Sequence, residues 1–329
     1  MSELTAVADA IRAADRFLLV SHENPDGDAF GSILAMKLGL DALGKDSVMY
    51  IGGEMTFPLE YAFLGLDDIG RGLPLDAGDR VILAVDSATA PRTRVPPEVL
   101  EAAPLVIDVD HHHDNTRYGG INLIVPDASS TAEIVRDLLR ELGVELTLAM
   151  AVAIYVGLYT DTGKFSYSNT TQKAHGLAKE LLGLGVLPQE MFGHIYESEL
   201  YERKKLQGKA LERMTRYEDG RMVVTYLLRE DFEELGVGEE YAEGVIDQIR
   251  NIKGVEFAMV IREPPVPDGP ARRVSMRSTT DAFDVSTVAR QRGGGGHRRA
   301  AGFSTDETVE EIIEFARREF ARATESVTA

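Results

Sequence analysis

No cysteine occurs anywhere in the chain, which removes disulfides, zinc–thiolate centres and cysteine nucleophiles together. Any metal would have to be held by histidine and carboxylate. Long hydrophobic runs are missing too. The most apolar stretch, residues 146–159, is too short to cross a bilayer and reads as a buried helix. Met1-Ser2-Glu3-Leu4-Thr5 lacks a basic segment followed by an apolar core, so no secretory signal is visible and a soluble, cytoplasmic protein with no membrane partner is the expectation. Basic charge is scarce: 35 Lys and Arg stand against 54 Asp and Glu, a net charge of −19. That balance argues against a broad surface for long nucleic acid, since phosphate backbones call for a basic footprint. It leaves room for a small phosphorylated ligand in a local basic pocket, and bound divalent ions would offset negative charge right at a site. Neither Gly-x-Ser-x-Gly nor Gly-x-x-x-x-Gly-Lys-Ser/Thr occurs, so serine-hydrolase and P-loop readings fall away.

What is present suggests two domains, each with a core, in 329 residues of ordinary globular composition. Apolar runs at 17–22, 47–51, 80–86, 105–110 and 121–125 read as strands. They alternate with helical patterns at 29–43, 129–142, 146–159 and 171–184, the signature of an α/β fold with a mostly parallel sheet flanked by helices. Ser130 and Glu133 form a candidate capping box at the start of the second of these helices. Residues 200–214 look like a charged connecting helix. From Arg216 the pattern changes to strands at 222–228, 257–262 and 273–277, helices at 241–251 and 308–323, and a proline-rich surface loop at 264–270. The expected organisation is a metal-binding domain over 1–190, a linker helix over 191–215 and a smaller α/β domain over 216–329.

The most informative stretch is His22-Glu23-Asn24-Pro25-Asp26-Gly27-Asp28, placed in a strand-to-helix turn, where open α/β sheets keep their sites. Pro25 and Gly27 shape the turn so that His22, Asp26 and Asp28 can converge, although a polar turn capping a helix accounts for the aspartates equally. Asp86 and Asp110-His111-His112-His113 end two further strand candidates, and Asp161 follows the apolar helix. Any one of them alone reads as a cap or turn residue. Projecting together from one sheet edge, they are enough for two divalent ions sharing a carboxylate, and imidazole with carboxylate favours Mn²⁺ or Mg²⁺ over structural zinc. Toward the carboxyl end, Arg272, Arg273, Arg277, Arg290, Arg292, Arg298 and Arg299 face only Asp281 and Asp284, a local reversal of the chain's charge. Gly293-Gly294-Gly295-Gly296-His297 sits among them and would let backbone N–H groups approach an anion. A flexible loop with solvated arginines is the alternative. Ser129-Ser130-Thr131 could add hydrogen bonds to a ligand, and helix capping explains it as well.

His22-x-x-Pro25-Asp26-x-Asp28, Asp86, Asp110-His111-His112 and Asp161, in that order, resemble the motifs of the DHH phosphoesterase superfamily. Gly293–His297 followed by Ala300-Ala301-Gly302 resembles the signature of the DHH-associated C-terminal domain. The subgroup most like this chain is the bacterial nanoRNase and pAp-phosphatase type. The resemblance implies one ion on His22, Asp26 and Asp86, and a second on Asp28, Asp86, His111 and Asp161, with Asp86 bridging. It implies that Asp110 orients a histidine, that His112 faces the scissile phosphate, and that Arg277 and His297, with Gly294, Gly295 and Gly296, grip a terminal phosphate. Asp108 and His113 are read as bystanders, because Asn115 has the family's spacing only if His111-His112 is the pair. Two ions ~3.5–4 Å apart would activate a bridging water and clamp the phosphate. The implied enzyme is a Mn²⁺-dependent hydrolase of oligoribonucleotides of two to four nucleotides that also converts pAp to AMP. A phosphodiesterase for cyclic di-AMP or pApA is the rival reading, and a degenerate nucleotide-binding sensor is the rival of another class. A homodimer is left open.

Overall fold

The computed structural model of the protein describes residues 2–53, 56–197, 200–265, 269–280 and 282–328, with side chains as far as residue 323. Residues 266–268 of the expected proline-rich loop, and Asp281, lie outside the described residues. The chain divides into two units, Met1–Ser198 and Glu199–Ala329.

The first unit runs through α1 (Glu3–Ala13), β1 (Arg16–Val20), α2 (Gly27–Ala42), β2 (Asp46–Tyr50), β3 (Ile69–Gly70), β4 (Val81–Val85), α3 (Pro97–Ala102), β5 (Val106–Asp110), β6 (Ile121–Ile124), α4 (Thr131–Glu141), α5 (Leu148–Asp161), α6 (Gln172–Gly183) and α7 (Pro188–Tyr196). Its strands are all parallel, in the order β3-β2-β1-β4-β5-β6. The sheet is covered on both faces, which is why its strands read as unbroken apolar runs. Leu19, Leu83 and Ile107 point to a core shared with Phe30 of α2, Leu138 of α4 and Ile154 of α5. Leu18, Ile82 and Ala84 point the other way, to Val95 and Leu100. The strand order reverses between β1 and β4, and the crevice beyond the carboxyl ends at such a reversal is where open α/β sheets bind ligands.

The second unit comprises α8 (Tyr201–Glu212), β7 (Thr215–Tyr217), β8 (Met222–Leu227), α9 (Arg229–Leu235), α10 (Val245–Arg250), β9 (Phe257–Arg262), β10 (Arg272–Ser278), α11 (Val285–Arg290), β11 (Gly295–His297), β12 (Ala300–Thr305) and α12 (Val309–Thr328). The sheet order is β11-β12-β10-β9-β8-β7, with β8 and β9 parallel and the other pairs antiparallel. Val274 and Met276 pack with Ile312 and Phe315 of α12 on one face. Ala258 and Val260 pack with Leu206 of α8 and Ile249 of α10 on the other.

Two expectations change, and one alternative falls away. The stretch 191–215 is not one linker helix: Met191 and Ile195 of α7 are anchored in the first unit's core, and Leu206 and Ala210 of α8 in the second's. The helix expected over 241–251 is interrupted by Gly244 in the left-handed region, φ +80°, so that α10 begins only at Val245. The glycine-rich segment is not an open loop, since Gly295–His297 forms edge strand β11 against β12. Among the described residues, no helix is long and apolar enough to cross a membrane.

Candidate metal centre and phosphate-binding strand

His22 lies just beyond β1 and is buried. Pro25 and Gly27 return the chain into α2, whose N-cap is Asp26: its Oδ1 accepts the N–H groups of Asp28 at 3.0 Å and Ala29 at 3.1 Å. The capping reading of Asp26 therefore holds, and the same exposed carboxylate also lies in a group with His22 and Asp86. The donor atoms of these three residues lie within 4.8 Å of one another. Asp86 directly follows β4 with φ +57°, a backbone region that asparagine and aspartate tolerate better than most residues. Its N–H donates to Val109 O at 3.0 Å, which ties the strained turn to β5.

Asp28, in the first turn of α2, is fully inside the fold. Its carboxylate accepts two N–H groups from the start of α4, Thr131 N to Oδ2 at 2.6 Å and Ala132 N to Oδ1 at 2.9 Å, where the helix dipole favours negative charge. Asp161 closes the last turn of α5 rather than following the helix. Asn169 Nδ2 steadies it by donating to its backbone O at 3.1 Å and to Oδ2 at 3.4 Å. Asp28 and Asp161 form a second group with His111, also within 4.8 Å, and a third group joins Asp86, His111 and His112.

The histidines are oriented from behind. His111 Nδ1 lies 3.3 Å from Ala128 O, so the ring donates there. Its Nε2 faces carboxylates, 3.6 Å from Asp161, 3.8 Å from Asp86 and 3.9 Å from Asp28. That is the tautomer of a metal-ligating imidazole. His112 Nδ1 lies 2.8 Å from Asp110 Oδ1, and Asn115 Nδ2 donates to Asp110 Oδ2 at 2.7 Å. The hydrogen bond to Asp110 raises the His112 pKa to about 9. His113 is exposed. Asp108, one strand position pair back from Asp110, is buried, and burial raises its pKa to about 7.

Electrostatics make this a site for cations. Burial, then repulsion from Asp86, Asp161 and Asp26, holds the Asp28 carboxyl well above its usual range. Burial brings Asp161 to about 6, with Asp86 and Asp26 adding to the rise against His111. Burial pushes Asp86 up as well, but His22, His111 and His112 outweigh it and leave it lowered. Crowded carboxylates with imidazole Nε2 atoms and no thiolate fit hard or borderline divalent ions.

Sequence reasoning missed the central part played by Thr131. Besides its N–H bond to Asp28, its Oγ1 donates to Asp86 Oδ1 at 2.9 Å. The available signal was the capping box, and only half of that forms: Ser130 Oγ accepts from Glu133 N at 3.2 Å, while the Glu133 carboxylate reaches Ser129 N at 3.3 Å instead of the cap residue. Asn169 carried no motif at all.

In the second unit, Arg277 of β10 pairs with Ala300 of β12, which pairs with His297 of β11. The three share one rung and one face, so Arg277 and His297 flank a small residue about 10 Å apart across two strand spacings. Arg277 Nη1 donates to Met276 O at 3.1 Å. Much of the positive reversal is neutralised locally, as Arg272, Arg273 and Arg292 are paired with Glu263, Glu239 and Glu307. Gly294 and Gly296 lie hard against β12, where a Cβ would meet Gly302 O at 2.2 Å and Ala300 O at 2.5 Å. Gly295 faces open space.

A parallel sheet with imidazole and carboxylate groups gathered at its topological reversal could hold divalent ions beside a bound ligand, the arrangement on which metal-dependent hydrolases rely. The chain belongs to the DHH family of phosphoesterases: residues 16–158 match the DHH family N-terminal domain and residues 219–322 match the DHHA1 domain. It is 32% identical to the bifunctional oligoribonuclease and PAP phosphatase NrnA of Thermus thermophilus, over 98% of this chain and 95% of that protein. It is 26% identical to the Bacillus subtilis protein of the same name, over 91% of this chain and 92% of the relative. The crystal structure of an exopolyphosphatase-related protein from Bacteroides fragilis superposes with a TM-score of 0.85 at 26% identity, covering 99% of this chain and 98% of that one.

Proposed function

We propose that this phosphoesterase hydrolyses short oligoribonucleotides to mononucleotides and removes the 3′-phosphate of pAp, with Mn²⁺ as its metal. The observation that carries the reading is the pair of donor groups His22/Asp26/Asp86 and Asp28/His111/Asp161, each within 4.8 Å, with Asp86 Oδ1 3.8 Å from His111 Nε2. His22, Asp26 and Asp86 would hold one ion and Asp28, Asp86, His111 and Asp161 the other. When bound, two such ions lower the pKa of a water and neutralise charge on the phosphoryl oxygens. The chain's own groups do the rest. Asp110, steadied by Asn115, accepts from His112 Nδ1 and leaves Nε2–H to hydrogen-bond the phosphate under attack. Thr131 and the first amides of α4 keep Asp28 and Asp86 in place. The first unit, with α7, supplies hydrolysis and the second unit, with α8, substrate recognition. Arg277, with its fork geometry, and His297 hold a terminal phosphate beside Gly294, Gly295 and Gly296. The surrounding net charge of −19 disfavours long polyanions.

Asp86→Ala should abolish Mn²⁺-dependent turnover of pAp and RNA dimers while leaving the circular dichroism spectrum unchanged. Retained turnover in that variant sinks the shared-carboxylate assignment. A panel of pAp, pApA, cyclic di-AMP, pyrophosphate and RNA from dimers to 20-mers tests the substrate. Preference for pAp and RNA of two to four nucleotides supports the reading, and preference for cyclic di-AMP or pApA replaces it with the rival phosphodiesterase.

A further inference from the structure

Ser275 and Arg277 alternate along β10 with Val274 and Met276, which enter the core against α12. Their side chains therefore project to the opposite face, together with Val260 and Arg262 of β9. Helices α8 and α10 cover most of that face with apolar side chains. Where the strands turn polar the cover does not close, and a cavity of about 320 Å³ remains, with Arg262, Ser275 and Arg277 along its floor and Ile246 of α10 in its wall. That volume is at the small end of the ~300–1,000 Å³ of organic-ligand sites, enough for one base and its sugar and too small for a chain.

The chemistry of the lining is specific. Ile246 and Val260 are buried aliphatic side chains that a planar ring can lie against. Arg262 Nη2 donates to Ser275 Oγ at 2.9 Å, and its Nη1 is 3.4 Å from Glu239, so the guanidinium is fixed from two sides. Its Nε is buried and makes no hydrogen bond. A buried N–H without an acceptor costs free energy until something supplies one, and a single N–H donor is matched by the N7 acceptor that adenine and guanine share. Arg277 occupies the same floor, two strand positions from Ser275.

We infer that this cavity seats the purine nucleoside whose phosphate Arg277 holds, and that Arg262 and Ser275 are specificity-determining residues that read the base. The inference rests on the assignment of Arg277 to phosphate made above and adds a base-reading pocket inside the second unit. The base lies between the Ile246 wall and the β9–β10 floor, with Ser275 holding Arg262 at the angle needed to donate.

The test is equilibrium binding to the full chain, comparing AMP, UMP and ribose 5-phosphate by calorimetry. The wild type should bind AMP at least 10-fold more tightly than ribose 5-phosphate and more tightly than UMP. Ser275→Leu, which fills the cavity, should bring AMP down to the level of ribose 5-phosphate, while Ser275→Ala, which leaves it open but releases Arg262, should lower the preference only in part. An undiminished AMP preference in a correctly folded Ser275→Leu protein overturns the pocket. Should Ser275→Leu fail to fold, photolabelling of the wild type with 8-azido-AMP gives the answer: adducts within residues 242–262 or 272–278 support the pocket, and adducts only elsewhere overturn it. The two readings fail separately. A wild type that prefers AMP but cleaves neither pAp nor short RNA refutes the proposed activity alone, and one that cleaves both without a base preference refutes the pocket alone.

Discussion

Asp86 illustrates how much one residue can be asked to do. It ends a strand, adopts φ +57°, accepts from Thr131 and approaches three imidazoles. Backbone strain of this kind persists where the surroundings over-determine it, and it concentrates at functional sites. The glycines of the second unit divide by a similar test. Gly296 has φ +135° and no room for a Cβ, so its glycine is required by packing, whereas a Cβ on Gly295 would meet nothing within 4 Å. Gly296→Ala should therefore lower stability by about 1–3 kcal/mol, visible as a lower Tm. Gly295→Ala should melt like the wild type but raise KM for pAp roughly 10-fold, about 1.4 kcal/mol. A wild-type KM for Gly295→Ala would remove that residue from the phosphate site.

At the scale of elements, the centre exists because α2 and α5 approach unusually closely. Residues 27–36 of α2 are buried throughout, and side-chain-free positions set the approach. A Cβ on Gly31 would meet Ala153 O at 2.3 Å, and one on Gly157 would meet Asp28 Oδ1 and Ala132 Cβ, both at 2.6 Å. Gly157 thus keeps open the space that Asp28 occupies. Gly157→Ala should cost about 1–3 kcal/mol through overpacking and weaken Mn²⁺ binding by displacing Asp28. Gly176→Ala in α6, with open space around it, should be neutral or stabilising because alanine favours helix. Calorimetric metal titration and thermal melts of the two variants check the contrast, and equal effects would mean that α2–α5 spacing does not set the site.

For the whole molecule, the gathered carboxylates tie stability to cations and to pH. Asp161 sits at about 6 against an ordinary 3.8, and Asp28 is raised too. A carboxyl raised in the folded state favours folding while protonated. That contribution is complete below the unfolded value near 3.8 and is lost as pH rises through about 6. In EDTA the site should therefore cost more stability at pH 8 than at pH 5. Mn²⁺ should raise Tm more at pH 8, by roughly 2.7 kcal/mol of stabilisation at 100-fold its Kd, and less at pH 5, where protons compete. Melts at the two pH values with and without Mn²⁺ measure this. An equal gain at both would show that the cation does not replace protons on these carboxylates.

The sequence by itself determined five of the six strands of the first sheet and the identity of the clustered residues. Both are local matters: buried parallel strands must be apolar on both faces, and a ligand turn needs its residues within one strand-to-helix connection. Short edge strands such as β3, of two residues, and β11, of three, left no such mark, because their pairing is set by neighbours distant in sequence. Only the tertiary structure decided that Asp28 takes its hydrogen bonds from α4, a hundred residues away, and that Thr131 reaches Asp86. It alone set Arg277 and His297 on one rung, and it alone left a cavity beside Ser275. Hydrogen-bond partners and empty space are properties of packed surfaces, which no stretch of chain encodes on its own.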